Sequence, residues 1–230
     1  MRPTEREHAA PTDGLAASVT DFAGATDEAL LRRVRGGEPA AFEPLVRRYN
    51  RLLYRTIRSI VPNETEVEDL MQQTYLAAFA NLDQFAGRSS LGTWLVRIAI
   101  NQSLAFARKE QQHNQLQACG AIEPPSTDSA LRCASARQAI AMLEEVILEL
   151  PLIYRTVYVL REVEQLSTAE TALALGITQA TAKIRLIRAK LRVGQGLKHH
   201  DGKNPAEVLL FEVPRCHRVT QSVVARLSSA

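Results

Sequence analysis

The sequence predicts an all-α protein: two small helical domains joined by a flexible linker, the C-terminal one containing a helix-turn-helix. Three observations carry this. Apolar residues recur at spacings of three and four, with no sustained two-residue alternation that would mark strands. Eleven glycines and ten prolines are few for 230 residues and collect at segment ends, which suits long helices. Between residues 113 and 134 the periodicity dissolves around Pro124-Pro125, as expected of a linker.

Taken in order, residues 1–25 mix Pro, Thr, Ala, Gly and charges and read as a disordered leader. The first domain spans 26–112. Thr26 or Asp27 caps a short helix that ends at Gly36-Gly37. A second helix starts near Glu38-Pro39, where proline is tolerated, and Phe42, Leu45, Val46, Tyr49, Leu53 and Ile57 form its apolar face. Arg47, Arg48, Arg51, Arg55 and Arg58 read as its solvated face. After Val61-Pro62-Asn63, Glu64, Glu66, Glu68 and Asp69 open a third helix, where acidic groups suit the positive end of the dipole. Val67, Leu70, Met71, Thr74, Tyr75, Ala78 and Phe79 supply its stripe. A polar loop over 81–90 leads to a fourth helix that ends near Gln112.

The second domain spans 135–196. A helix carrying Ile140, Leu143, Val146, Ile147 and Leu150 breaks at Pro151, and another runs through Tyr154 and Val157. Then comes LSTAETALALGITQATAKIRLIRAKL, from Leu166 to Leu191. Ser167 and Glu170 form a capping box, Gly176 supplies the turn, and Thr178 caps a second helix. Helix, glycine turn and basic helix make a helix-turn-helix, which lays its second helix in the DNA major groove. Over 177–198 the cations Lys183, Arg185, Arg188, Lys190, Arg192 and Lys198 meet no acidic residue, although the whole chain carries only +3. If all six met phosphates, log K would fall against log salt with a slope of roughly −5. The extension 197–230 ends in a helix bearing Val219, Val223, Val224 and Leu227.

The sequence argues against an enzyme. It has no glycine-rich phosphate loop, no H-E-x-x-H and no nucleophile elbow. Its five histidines fall in leader, linker or tail, where solvated side chains are the default. Cys119, Cys133 and Cys216 are widely spaced and suggest neither a disulfide framework nor a zinc site. No metal, no cofactor and no membrane insertion are expected, and the first residues lack the apolar core of a signal peptide. The expected location is cytoplasmic.

Three collinear motifs resemble the extracytoplasmic-function group of bacterial sigma factors. EVEDLMQQTYLAAFANLDQF is similar to the family's A-E-D-L-V-Q-E-T-F-L-x-A-W…L-x-x-F stretch, and GRSSLGTWLVRIAINQSL to its F-x-T-W-L-x-R-I-A-x-N segment. The run from Leu150 to Leu191 resembles its L-P…R-x-V-x-x-L-R…G-L-S-x-x-E-I-A…L-G-I-S-x-G-T-V-K-S-R-L-x-R-A-R pattern. The resemblance implies a subunit that directs core RNA polymerase, through its β′ and β subunits, to promoter DNA in response to a stress or envelope signal. An anti-sigma factor is the implied inhibitory partner. Asp69, Leu70, Gln72, Gln73, Leu76 and Phe79 then fall on the polymerase-binding segment, with Gln73 where relatives have Glu; Leu70 and Phe79 equally fit a core stripe.

The same resemblance assigns Asn81, Phe85, Arg88, Ser89, Arg97, Asn101 and Arg108 to the opened minus-ten strand. An unstacked base needs a pocket there and its phosphates need donors. Trp94 lies in an apolar stripe that favours core over stacking, and Ala105 stands where many members carry Asp. Gln179, Thr181, Lys183, Arg185 and Arg188 fall where the minus-35 duplex would be read, while Ile184 and Ile187 replace the polar residues common in relatives. The alternative is a self-standing helix-turn-helix regulator of duplex DNA, which has no need of the Asp69–Phe79 motif.

Overall fold

The computed structural model describes residues 24–117, 136–197 and 213–227. The leader, the linker from 118 and Cys119 and Cys133 lie outside them. All regular structure among the described residues is helical. In chain order the helices are α1 (Asp27–Arg35), α2 (Glu43–Arg58), α3 (Glu64–Ala80), α4 (Leu91–Gln117), α5 (Ala136–Glu149), α6 (Leu152–Tyr158), α7 (Thr168–Leu175), α8 (Gln179–Gly196) and α9 (Val213–Leu227). The helix expected to stop near Gln112 continues to Gln117.

Local chemistry places the helix starts. Thr26 Oγ1 accepts from the Ala29 N–H and caps α1. Asn63 Oδ1 does the same for Thr65 at the start of α3. Each cap satisfies one of the N–H groups that a helix leaves unpaired. At Gly92 the space is decisive: an added Cβ would come within 2.9 Å of the Tyr49 ring, so α2 and α4 can cross this closely only with glycine there.

α1–α4 pack around one core. Leu30, Phe42, Leu45, Leu53, Ile57, Met71, Tyr75 and Leu95 are essentially inaccessible. Phe42 meets the rings of Tyr75 and Phe79 edge-on. The Tyr75 hydroxyl donates to the Val46 carbonyl at 3.0 Å, which satisfies the one polar atom this side chain brings into the core. Thr74 Oγ1 bonds Gln102 Oε1 at 2.8 Å and ties α3 to α4.

The second unit has its own core, in which Leu143, Ile147, Leu150, Tyr158, Val159 and Val163 of α5 and the α6 region meet Ala189 and Val193 of α8. α6 runs into a π-turn over Val159–Val163, whose Glu164 N–H reaches back five residues to the Val159 carbonyl. Gln165 follows with φ +57°, a left-handed conformation costly for a side-chain-bearing residue. It stands where the family pattern has glycine.

The two units are packed together. Leu160, Leu166 and Ala174 join the core of α1–α4, and α7 lies against α4. Arg55, expected on a solvated face, is 1% exposed and pairs with Glu164 at 2.8 Å. The periodicity of α2 is blind to this because the covering surface comes from more than a hundred residues away.

Candidate nucleic-acid and polymerase interface

The stripe rule divides α3 in two. Val67, Leu70, Met71, Thr74, Tyr75 and Ala78 point inward, so Leu70, which fitted the polymerase surface and the core stripe equally, is a core residue with 3% exposure. Asp69 and Gln73 lie one turn apart on the outward face and are exposed. Gln72, Leu76 and Phe79 are half-buried, Phe79 through its contact with Phe42.

The loop after α3 is built by its own side chains. Asn81 Nδ2 donates to the Ala77 carbonyl and its Oδ1 accepts from Gln84, both at 2.8 Å. Phe85 packs on Trp94 with ring centroids 5.3 Å apart. Arg35 at the end of α1 donates from Nη2 to the carbonyls of Leu82 and Phe85, each at 2.9 Å. Asn81 and Phe85 therefore shape the loop, and Arg35 holds it; no local pattern announced Arg35, which acts across 47 residues of chain.

Later in the loop, Arg88 is exposed and Ser89 half-buried. On α4, Arg97, Asn101 and Arg108 are exposed and share one face, because successive gaps of four and seven residues return to the same side of a 3.6-residue helix. They span about 16 Å at 1.5 Å rise per residue. The stripe offers donors for a strand's phosphates without any carboxylate to repel them; Ala105 lies within it.

The helix-turn-helix forms as the sequence predicts. Ser167 Oγ accepts from the Glu170 N–H at 3.1 Å, and Glu170 Oε2 accepts from the Ser167 N–H at 2.9 Å. Gly176 has φ +64°, the left-handed cap that lets the chain turn between helices. Thr178 Oγ1 accepts from Thr181 and starts α8. Gln179 and Lys183 are exposed near its N-terminus, Thr181 is half-buried beside Thr178, and Arg185 is half-buried.

Further along α8 the cations are held by their own unit. Arg188 donates to the Tyr154 hydroxyl at 3.4 Å, Arg192 lies 5.4 Å from that ring's centroid, and Lys190 pairs with Glu162 at 2.9 Å. The hydrogen bond from Arg188, with the nearby guanidinium charges, lowers the Tyr154 pKa from its ordinary value. Tyr154 thus orients two arginines, a role its place in an apolar stripe concealed. Ile184, Ile187 and Leu191 are 52%, 59% and 61% exposed and run along the outer face.

Among the described residues, no group of three His, Cys, Asp or Glu is placed to hold a metal ion. None of the helices among them is long and apolar enough to cross a membrane.

The family description Sigma-70 region 2 matches residues 45–113, and Sigma-70, region 4 matches 140–193. The chain is 33% identical over 171 residues to the RNA polymerase sigma factor NccH of Alcaligenes xylosoxydans xylosoxydans, covering 73% of this chain and 92% of that one. The chain belongs to the extracytoplasmic-function group of sigma factors. The ECF RNA polymerase sigma-E factor of Escherichia coli K12 is similar over 174 residues at 31% identity, covering 72% and 91%.

Among solved structures, the fold is similar to CnrH in complex with the cytosolic domain of CnrY, with TM-score 0.57, 27% identity and coverage of 76% and 99%. It is also similar to the sigma factor RpoE in complex with the anti-sigma factor NepR from Bartonella quintana, with TM-score 0.56, 25% identity and coverage of 68% and 94%. As a sigma factor the chain carries both family regions in order. Region 2 falls on α2–α4, and region 4 on α5–α8.

Proposed function

We propose that this sigma factor is a dissociable promoter-specificity subunit without catalysis of its own, working in the cytoplasm on core RNA polymerase under the control of an anti-sigma factor. The observation that carries this reading is that the two matched regions each present a distinct exposed polar face. Residues 26–112 act as the polymerase and minus-ten domain, 135–196 as the minus-35 domain. Asp69, Gln72, Gln73 and Leu76 meet the polymerase. Arg88, Ser89, Arg97, Asn101 and Arg108 hold the opened non-template strand, on a loop whose shape Asn81 and Phe85 maintain. Gln179, Thr181, Lys183, Arg185 and Arg188 contact the minus-35 duplex, where exposed Ile184 and Ile187 suit thymine methyl groups. The anti-sigma reading rests on the partners named for the two solved relatives.

Run-off transcription with purified core polymerase on a promoter library tests this. Arg185→Ala is expected to lower minus-35-dependent initiation by about tenfold, the lower part of the range for one base contact, with core binding intact. Tight duplex binding by the protein alone, without binding to core, would sink the reading in favour of a self-standing regulator.

A further inference from the structure

α9 lies outside both matched regions, yet it is seated on the first unit. Val219, Val223 and Leu227, four residues apart, are buried in the core of α1–α4. Polar groups flank this stripe on one side of α3. Arg215 pairs with Glu64, Arg218 with Glu68 at 2.7 Å, and the Ser222 hydroxyl bonds Gln72 Oε1 at 2.9 Å. On α2, Asn50 Nδ2 donates to Thr220 Oγ1 at 3.0 Å and lies 3.1 Å from Cys216 Sγ.

The α3 partners of α9 are regularly placed. Glu64, Glu68 and Gln72 are four apart and form one ridge, whose next member is half-buried Leu76. The neighbouring ridge holds exposed Asp69 and Gln73. Of the residues assigned above to polymerase, Gln72 is therefore already engaged by the chain's own C-terminal helix, on a ridge it shares with Glu64 and Glu68, while Asp69 and Gln73 stand open beside it.

We propose that α9 is an intramolecular cover for the polymerase-docking face of α3, displaced when core RNA polymerase binds. The proposal rests on the reading of α3 given under the proposed function. A tethered helix competes at high effective concentration without needing a high affinity of its own. It lowers the apparent affinity for polymerase in proportion to the fraction of molecules in which it is seated. Its rim contacts suit release: Arg218 is 58% exposed, and pairs so placed hold weakly. The open ridge of Asp69 and Gln73 gives polymerase a first foothold while α9 is still in place.

The test uses the full chain and purified core polymerase, with binding read by fluorescence anisotropy. Reversing both rim charges, Arg215→Glu with Arg218→Glu, sets like charges against Glu64 and Glu68 and unseats α9. Core binding is expected to tighten about tenfold, as when the seated fraction falls from about nine-tenths to near zero. A second variant works in the opposite direction. Asn50→Cys places a thiol beside Cys216, and the oxidised form, its disulfide verified by intact mass, fixes α9 down. Its core binding is expected to weaken at least tenfold and to recover with reductant, while wild-type protein under the same oxidant is unchanged. Equal core affinity for wild type and the charge-reversal variant, both with unchanged helical circular dichroism, overturns the proposal. So does tight core binding by the oxidised variant. If no form of the protein binds core, the assignment of α3 to polymerase fails instead.

Discussion

Two segments lie against α1–α4, and different chemistry holds each. The α6–α7 region meets α2 and α4 through a buried ion pair, Arg55 to Glu164, and through Glu170, which receives the hydroxyls of Ser90 and Thr93 at 3.4 Å. α9 meets α2 and α3 through an aliphatic stripe with charges at the rim. Opening the first seam exposes Leu160, Leu166 and Ala174 as well, but it also returns two charges to water, where hydration offsets much of the attraction lost. Opening the second exposes Val219, Val223 and Leu227 without releasing a comparably buried ion pair to hydration. The Arg55–Glu164 pair thus specifies how the two units dock more than how tightly. Another surface that replaces the one α9 loses favours the opening of the apolar seam.

The largest expected effect comes from removing one charge of the polar seam. Glu164→Ala removes the carboxylate paired with Arg55, whose side chain is 1% exposed. Removing one partner of a buried pair costs about 3–5 kcal/mol, so the ratio of closed to open molecules should fall at least about a hundredfold. Energy transfer between dyes placed at exposed Asp83 and Glu145 reads the separation of the units. Replacing both partners, Arg55→Met with Glu164→Leu, should keep the dyes close, because two apolar groups need no hydration. If the single variant also keeps them close, the ion pair does not control the seam.

A smaller effect is expected at the apolar seam. Val223→Ala removes two buried carbons, worth about 1.6 kcal/mol at roughly 0.8 each, with a small cavity penalty added. Amide hydrogen exchange in α9 should quicken by about tenfold or more while α7 keeps its protection. Equal acceleration in α7 would show that the two seams open together, and the contrast between them would be lost.

How much of this was legible in the sequence follows the same division. Helix starts, the capping box at Ser167 and Glu170, the left-handed Gly176 and the basic face of α8 depend on neighbours within four residues, and all were readable. The amphipathic stripe of α9 was readable too, but what it covers was not. Leu70 was ambiguous, because a leucine beside a core stripe and a leucine in a docking motif look alike until the helix is rotated into place. Arg55 was misread: an arginine opposite an apolar face is normally solvated, and only the arrival of Glu164 from 109 residues away buries it. Arg35 and Tyr154 escaped notice for the same reason, since their partners lie far along the chain. The family motifs, by contrast, located the loop and α4 without any geometry. They did not show that Asn81 and Phe85 spend their side chains on the loop itself.

The smallest effect concerns acid. Hydrogen bonds from the Ser167 backbone and hydroxyl, joined by those from Ser90 and Thr93, lower the Glu170 pKa from its ordinary value against a modest opposing effect of burial. A carboxyl whose pKa is lower in the folded state contributes stability above its unfolded pKa and loses it as pH falls through the folded value. The capping box and the α4–α7 contact should therefore be intact at neutral pH and weaken below about pH 4, near the ordinary glutamate range. The loss should stay well under about 1 kcal/mol, because solvent screens a carboxylate this exposed. Glu170→Gln is the informative comparison. A glutamine at this position still closes a capping box but does not titrate, so its α7 amide exchange, corrected for intrinsic rates, should be flat with pH where the wild type rises toward acid. A wild-type profile as flat as the variant's would mean that the α7 side of the polar seam rests on Arg55 and Glu164 alone, with Glu170 serving only to start the helix.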